Sequence, residues 1–318
     1  MAYVGRLAPS PTGALHLGNV RTFMVAWLRA RAQGGRVILR MEDLDHPKDK
    51  PGAAQAAIDD LRWLGFDWDE SYVQSERKSL YRSALESLLR PPPSSLHPLP
   101  SPLIYPCICS RKDVEAAQSA PHAGEQLHYP GTCRDRFATW DEAFAAKGSA
   151  PCWRFRTPPG TVVSFDDVFA GHYEQDVSLT LGDFPISRDE FGAGYTLAVV
   201  VDDLAMGVTE VVRGDDLLPA TPAQILIARA LGSSCVPSYC HVPLVVGPDG
   251  KRLAKRHGDT RIASYRAAGK RPEELLGFLA ASCGWCCSGE SVSLRDLIPR
   301  FRLDALPHEP LVIANDVI

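Results

Sequence analysis

The sequence predicts an α/β protein in which an insertion separates two halves of a parallel sheet. Three observations support this fold class. A strand, a helix and a strand fit into residues 1–41, a second β-rich block with a helix occupies 191–246, and about 100 residues of different character lie between them. Because strand–helix–strand units form right-handed parallel pairs, the loop after the first strand lies at the ligand-binding carboxyl edge of the sheet.

The first unit begins with a short apolar strand, Tyr3–Ala8, which ends at the turn-forming run Pro9–Gly13. Apolar residues then recur at helical spacing from Val20 to Leu28, and Gly34-Gly35 ends that helix. Arg36–Met41 is the next predicted strand.

The second block is rich in β-branched residues, which predict strands at Tyr195–Val201 and Val208–Val212. Thr221-Pro222 is expected to cap a helix that runs to Gly232. His241–Val246 is the last predicted strand of this half. After Lys255 the chain turns helical, with Pro272 near the start of a segment that ends at Gly284.

Composition and charge exclude several classes of protein. Hydrophobic residues make up 45% and charged residues 23% of the 318 residues, which is typical of a globular chain. No run is apolar enough for a membrane helix, and the N-terminus lacks the apolar core of an export signal. The nine cysteines, an odd number, argue against a disulfide framework. We therefore expect a cytoplasmic protein without membrane contact.

The net charge of −4 opposes a generally basic nucleic-acid-binding protein, but the charge is unevenly distributed. Residues 1–41 contain six arginines and no acid, and residues 249–271 carry eight Lys or Arg against two Asp. Local positive fields of this kind attract anions whatever the total charge. The alternative is that both regions are ordinary solvated surfaces.

Two loops carry features of a phosphate site. In the run Pro9–Asn19, His16 offers a hydrogen-bond donor beside the start of a helix, and Gly18 leaves room for a nucleotide; helix N-termini favour phosphate. The run Gly250–Gly258 places four cations within six residues, where they can neutralise charge on a phosphate chain. Three structural explanations remain open: a glycine needed for close packing, a histidine that only caps the helix, and a basic loop that is only solvated.

Cysteines form a third candidate site. Cys107 and Cys109 are followed by Cys133, which gives three thiolates for a closed tetrahedral zinc site. From the residues alone, the fourth ligand is Tyr129 or a histidine, with His122 or His128 the usual choice. The separate run Cys283–Cys287 has no second pair nearby and is interpreted as core or free thiols.

The two loops, in this order, resemble the paired signatures of class I aminoacyl-tRNA synthetases. His16–Asn19 is similar to the His-Ile-Gly-His motif, and Arg252–Arg256 is similar to Lys-Met-Ser-Lys-Ser, with Asn19 and Ala254 departing from the patterns. Longer stretches resemble the glutamyl branch: Gly5–Gly13, Arg40–Asp45, Val200–Asp203 and Gly207–Gly214. A glutaminyl enzyme would carry Pro-Glu-Pro in place of Pro9-Ser10-Pro11.

The resemblance implies a Rossmann-type catalytic domain and a role for each matching residue. Arg6 and Arg213 would bind the glutamate side-chain carboxylate, and Glu42 its ammonium group. The remaining glutamate contacts would be Ala8, Ser10 and Tyr195. ATP would be bound by His16, Gly18 and Lys255, of which His16 and Lys255 are catalytic, and Mg²⁺ would accompany the ATP. The family also implies that Tyr129 completes a structural zinc site with Cys107, Cys109 and Cys133. Asp202-Asp203 either lines the site or ends a strand.

About 60 residues follow the basic loop, where full-length glutamyl enzymes continue into an anticodon-binding region. The short form resembles the glutamyl-queuosine tRNA(Asp) synthetases, which attach glutamate to queuosine in the anticodon loop. Ala198–Val201 and Gln224 support this branch. Two alternatives are a truncated glutamyl-tRNA synthetase that charges tRNA(Glu) and a non-catalytic nucleotide- and zinc-binding protein. A nucleotidyltransferase has no use for Arg6, Glu42 and Arg213 together.

We expect a monomer with four parts. Residues 1–90 form the first half of the catalytic domain, and residues 91–190 the insertion with a proline-rich loop and the zinc site. Residues 191–246 form the second half of the catalytic domain. Residues 247–318 hold the basic loop and a small helical region that contacts the RNA stem, without an anticodon-binding domain.

Overall fold

The computed structural model describes residues 2–44, 50–90, 102–117, 127–251, 253 and 259–313. The strands are β1 Val4–Leu7, β2 Arg36–Met41, β3 Glu70–Val73, β4 Ile104–Cys107, β5 Cys152–Phe155, β6 Val162–Asp167, β7 Gly171–Asp176, β8 Phe184–Pro185, β9 Glu210–Gly214, β10 Ser238–Val242, β11 Val245–Val246 and β12 Leu311–Val312. The helices are α1 Leu17–Arg31, α2 Ala53–Trp63, α3 Lys78–Leu89, α4 Arg111–Ala117, α5 Trp140–Lys147, α6 Val177–Thr180, α7 Tyr195–Ala205, α8 Thr221–Ala230, α9 Ile262–Ala267, α10 Pro272–Ala281 and α11 Leu294–Leu297.

The predicted parallel sheet is confirmed. β2 pairs in parallel with both β1 and β3, and β9 pairs in parallel with β10. The two halves meet where the Thr209 amide donates to the Val4 carbonyl at 2.9 Å. The three-stranded group β3-β2-β1 and the two-stranded group β9-β10 thus lie side by side in that order, as a Rossmann-type layer whose halves come from distant parts of the chain.

The first unit follows the predicted order. β2 has the predicted bounds, β1 is slightly shorter than predicted, and α1 begins three residues before the first apolar residue of the pattern. The buried face of α1 includes Met24 and Leu28, both fully excluded from solvent. Burying each such side chain stabilises the fold by about 1.5–3 kcal/mol. Gly34 adopts a φ of +64° just after the helix, which explains why glycine ends it there.

The predicted strand Tyr195–Val201 is wrong, because these residues form the start of helix α7. Every residue from Leu197 to Asp203 is buried, so the run has no polar face to reveal a helical period. A fully buried helix and a fully buried strand therefore have the same sequence pattern. The β-branched valines, which favour strands, then led to the wrong prediction. Residues of α7 contact both α3 and α8.

Two further boundaries differ from expectation. The strand predicted at His241–Val246 divides into β10 and β11 around Pro243, which has no amide proton for a sheet. Helix α8 exists as predicted, but its cap residue is Ala220 and makes no side-chain capping bond. The hydroxyl of Thr221 instead contacts the guanidinium of Arg213.

The insertion contains an antiparallel sheet of β4, β5 and β8 and a hairpin of β6 and β7. The hairpin contacts the parallel sheet through the Val168 amide, which donates to the Tyr239 carbonyl at 2.8 Å. Most of the proline-rich run, residues 91–101, lies outside the described residues. The C-terminal helices α10 and α11 pack against α1 in the same apolar core.

Among the described residues, every helix is too short or too polar to cross a bilayer.

Candidate active site

A cleft of about 490 Å³ opens at the carboxyl edge of β1 and β9 and at the start of α1. Residues from the first loop, from the end of β2, from α7 and from β9 form its walls. The predicted site residues that line it are Ala8, Ser10, His16, Gly18, Glu42, Tyr195 and Arg213. Tyr195 lies at the start of a helix rather than at a strand end, but it still reaches the same cleft.

The two arginines predicted to bind one carboxylate lie on adjacent strands. Arg6 Nη1 donates to the carbonyl oxygen of Val212 at 2.8 Å, and Val212 directly precedes Arg213. Arg6 is 7% exposed, and its Nε is buried without a hydrogen bond to any described residue. Burial lowers the pKa of Arg6. The Arg6 side chain thus lies buried beside Arg213, but Arg6 itself is not among the residues that line the cleft.

A buried ion-pair network contacts both Arg6 and Glu42. Arg40, which is fully buried, donates to Asp203 Oδ1 at 2.5 Å and to Glu42 Oε1 at 2.9 Å. Asp203 also lies 3.6 Å from Arg6 Nε. Burial raises the pKa of Glu42 in spite of the neighbouring arginines. Arg40 thus orients the carboxylate of Glu42. The negative charge of Asp203 compensates the positive charges of the two buried arginines, Arg40 and Arg6.

Asp202 connects α7 to α3. Its carboxylate accepts hydrogen bonds from Arg77 Nε at 2.7 Å and from Gln74 Nε2 and the Tyr81 hydroxyl, both at 2.8 Å. The side chain is completely buried. Neither Asp202 nor Asp203 lines the cleft, and neither ends a strand. Sequence reasoning missed their role, although the matching stretch Val200–Asp203 marked the pair.

His16 is the cap residue of α1. Its Nδ1 accepts a hydrogen bond from the Gly18 amide at 3.1 Å, and Asn19 Oδ1 accepts one from the His16 amide at 3.2 Å. This reciprocal capping box fixes the helix start at the cleft. A Cβ on residue 18 would lie 3.0 Å from the His16 ring, so a larger residue at this position would require the capping histidine to shift.

The ends of the basic loop are fixed beside this helix start. The Leu17 amide donates to the Thr260 carbonyl at 3.1 Å, and the Ile262 amide donates to the Leu15 carbonyl at 2.9 Å. Leu253, on the other side of the loop, is buried in the core. Lys255, with residues 252 and 254–258, lies outside the described residues.

The cysteine cluster lies in the insertion. The Sγ atoms of Cys107, Cys109 and Cys133 all lie within 4.8 Å of one another. The hydroxyl oxygen of Tyr129 is 3.3 Å from Cys107 Sγ and 3.6 Å from Cys109 Sγ. The Nε2 atom of the alternative residue His128 instead lies 3.2 Å from the Ser178 carbonyl oxygen. His122 lies outside the described residues.

Three thiols and a phenol that converge in this way suit a tetrahedral zinc ion. Thiolates bound 2.3 Å from zinc at tetrahedral angles are about 3.8 Å apart, and Cys109 and Cys133 lie 3.5 Å apart. Beside the cluster, the Arg154 guanidinium carbon lies 3.7 Å from the centre of the Tyr129 ring. This positive charge favours the anionic ligands that a metal requires.

The fold and the cleft define a class of protein. Residues 3–313 match the family model described as tRNA synthetases class I (E and Q), catalytic domain. A crystal structure of a glutamate tRNA ligase from Elizabethkingia meningosepticum, in complex with its amino acid, superposes with a TM-score of 0.81 at 26% identity. That match covers 99% of this chain and 67% of the solved chain.

Two relatives narrow the family. A Glutamyl-Q tRNA(Asp) synthetase from Symbiobacterium thermophilum is 47% identical, over 99% of this chain and 97% of the relative. A glutamate–tRNA ligase 1 from Acidithiobacillus ferrooxidans is 40% identical over 95% of this chain but only 61% of its own length. The chain belongs to the Glutamyl-Q tRNA(Asp) synthetase family.

Proposed function

We propose that this protein activates L-glutamate with ATP and transfers the glutamyl group to the queuosine base in the anticodon loop of tRNA(Asp). The observation that carries the proposal is the cleft in which Arg213 and Glu42 face the same cavity as the start of α1, with Arg6 bonded beside Arg213. The full-length match to Glutamyl-Q tRNA(Asp) synthetases supports the choice of acceptor.

The charges of the cleft match an acidic amino acid. Arg6 and Arg213 would bind the side-chain carboxylate, because a guanidinium stays charged and offers paired N–H donors. Glu42, held by Arg40, would bind the α-ammonium group. Ala8, Ser10 and Tyr195 line the remaining wall and would complete the contacts with glutamate.

The chemistry needs no nucleophile from the protein. The α-carboxylate oxygen of glutamate attacks the α-phosphorus of ATP, and pyrophosphate leaves with the electron pair. A ring hydroxyl of queuosine then attacks the carbonyl carbon of the adenylate, loses its proton and releases AMP. The helix start at His16 and Gly18 and the cation Lys255 would stabilise phosphate charge, with Mg²⁺ entering on ATP.

We further propose that Cys107, Cys109, Tyr129 and Cys133 hold a structural zinc ion. A closed set of four protein ligands leaves no open position for catalysis, so the ion would stabilise the insertion. The proximity of the four donor atoms supports this proposal.

Removing one thiolate is expected to remove most of the bound zinc. The purified protein should carry about one zinc ion per chain, and Cys133→Ser should lose most of it and unfold at a lower temperature. Elemental analysis and thermal unfolding measure both effects. Cys235→Ser, which changes an exposed thiol elsewhere, is the control and should keep its zinc.

Tyr129→Phe should weaken zinc retention against a chelator, whereas His128→Ala should not. The reverse result would make His128 the ligand.

Transfer of labelled glutamate tests the proposed function. The label is expected to enter tRNA(Asp) only when the tRNA contains queuosine, and nuclease mapping should place it on the anticodon nucleotide. Glutamate should also support ATP–pyrophosphate exchange without any RNA, as the family resemblance implies.

Each alternative predicts a different result. A truncated glutamyl-tRNA synthetase would label the 3′ end of tRNA(Glu) and require that tRNA for exchange. A non-catalytic binding protein would release no pyrophosphate when glutamate is added to protein and ATP. Because RNA contacts are electrostatic, transfer to tRNA(Asp) should weaken steeply with salt, whereas exchange without RNA should not.

A further inference from the structure

A buried chain of three side chains connects the insertion to the predicted glutamate site. Asp167 ends β6 in the insertion hairpin, His241 lies on β10, and Arg213 lies on β9. We propose that Asp167 and His241 are positioning residues that hold the Arg213 guanidinium in the orientation that receives the glutamate side chain. The proposal rests on the proposed function of Arg213.

The hydrogen bonds of the chain determine the state of the histidine. Arg213 Nε donates to His241 Nε2 at 3.0 Å, and His241 Nδ1 lies 2.6 Å from Asp167 Oδ2. Since an arginine N–H can only donate, Nε2 must accept, and the ring proton is assigned to Nδ1. Both the His241 and Asp167 side chains are completely buried.

Electrostatics agree with a neutral ring. Burial lowers the pKa of His241, and the neighbouring Arg213 and Arg6 lower it further, against the opposing effect of Asp167. Burial alone would raise the pKa of Asp167, but hydrogen bonds from the His241 side chain and from three backbone amides bring it below its ordinary value. A charged carboxylate thus fixes a neutral imidazole, whose Nε2 lone pair accepts from Arg213 Nε and lies 3.2 Å from the Thr221 hydroxyl oxygen.

The remaining contacts of Arg213 leave one part of its guanidinium available. Nη2 donates to Thr221 Oγ1 at 2.8 Å, and the Leu217 carbonyl lies 3.5 Å from the same nitrogen. Nη1 makes no hydrogen bond to any residue that the structure describes. His241 and Thr221 therefore fix the plane of the group from one side, while Arg213 lines the cleft with Nη1 uncommitted. A substrate carboxylate is the partner that this geometry favours.

Asp167 is itself held by the backbone. Its Oδ1 accepts from the amides of Phe169, Ala170 and His241 at 2.8–3.0 Å, while Oδ2 faces the imidazole. In Asp167→Asn, these three amides require the oxygen at the Oδ1 position, so the NH₂ group faces His241 Nδ1. That arrangement moves the ring proton to Nε2, where it opposes the N–H of Arg213.

Two substitutions of His241 distinguish a role in positioning Arg213 from a role in packing alone. Glutamine can place a carbonyl oxygen near the position of Nε2 and keep an acceptor for Arg213, whereas asparagine reaches only the position of Nδ1. In RNA-free ATP–pyrophosphate exchange we expect His241→Asn and Asp167→Asn to raise KM for glutamate about tenfold or more. His241→Gln should stay within about threefold of the wild type, and KM for ATP should not change in any variant.

The outcomes distinguish this proposal from the proposed function. If the wild type shows no glutamate-dependent exchange, the proposed function fails. If the wild type is active and both His241→Asn and Asp167→Asn keep its KM for glutamate, the positioning role is overturned. The same holds if both histidine variants lose glutamate and ATP binding equally, since that marks general damage. Asp167→Asn preserves side-chain volume and serves as the test if His241→Asn fails to fold.

Discussion

Replacing Lys255 with alanine is expected to lower glutamate-dependent ATP–pyrophosphate exchange a hundredfold or more. A cation that acts mainly on charge developing at the phosphates in the transition state contributes about 3 kcal/mol. The ends of the loop support this role, because Leu253 is buried and Thr260 is bonded to the first turn of α1. In the sequence, Lys255 therefore lies between a buried leucine and a residue bonded to the helix start at the cleft.

The control for Lys255→Ala is Lys112→Ala, which removes an exposed positive charge from α4 in the insertion. It should leave RNA-free exchange unchanged, because that reaction involves only the cleft. Both variants should unfold at the wild-type temperature. Exchange at the wild-type rate in Lys255→Ala would contradict a catalytic role for this loop.

Replacing Asp203 with alanine is expected to lower the free energy of unfolding by about 3–5 kcal/mol. The substitution leaves Arg40 and Arg6 buried without their shared carboxylate, and an uncompensated buried charge is strongly destabilising. Glutamate binding should weaken as well, since Arg40 also holds Glu42. Urea unfolding measures the first effect and KM for glutamate the second.

Asp59→Ala is the matched control, because Asp59 is an exposed carboxylate on α2 whose one hydrogen bond to a described residue is from Gln55. Its effect should stay within about 0.5 kcal/mol. A similar small effect for Asp203→Ala would show that the two arginines relax toward solvent or other partners. The role assigned to the buried network would then be wrong.

Local patterns were sufficient to predict the first unit of the fold. The turn at Pro9–Gly13, the helical spacing that begins at Val20 and the β-branched strand Arg36–Met41 each carry their signal within a few residues. The structure places these elements as predicted, with small changes at the ends. The loop that begins the cleft was therefore predictable, because a parallel unit can present it at only one edge.

The sequence could not distinguish a buried helix from a buried strand at Tyr195–Val201. Periodicity disappears when both faces of an element are covered, as they are for α7 between α3 and α8. The same error concealed the buried network, since Asp203 pairs with Arg40 and Arg6 from helix α7. The Asp167–His241–Arg213 chain was equally hidden, because its members come from three strands far apart in the sequence.

By itself, the sequence determined the residue types of the candidate site, the order of the two loops predicted to bind phosphate and the three cysteines of the predicted zinc site. Only the tertiary structure decided which carboxylate forms an ion pair with which arginine, and which nitrogen of Arg213 makes no hydrogen bond to a described residue. The physical reason is that local elements follow from neighbouring residues, whereas the compensation of buried charge depends on groups that meet only when the two halves of the sheet close together.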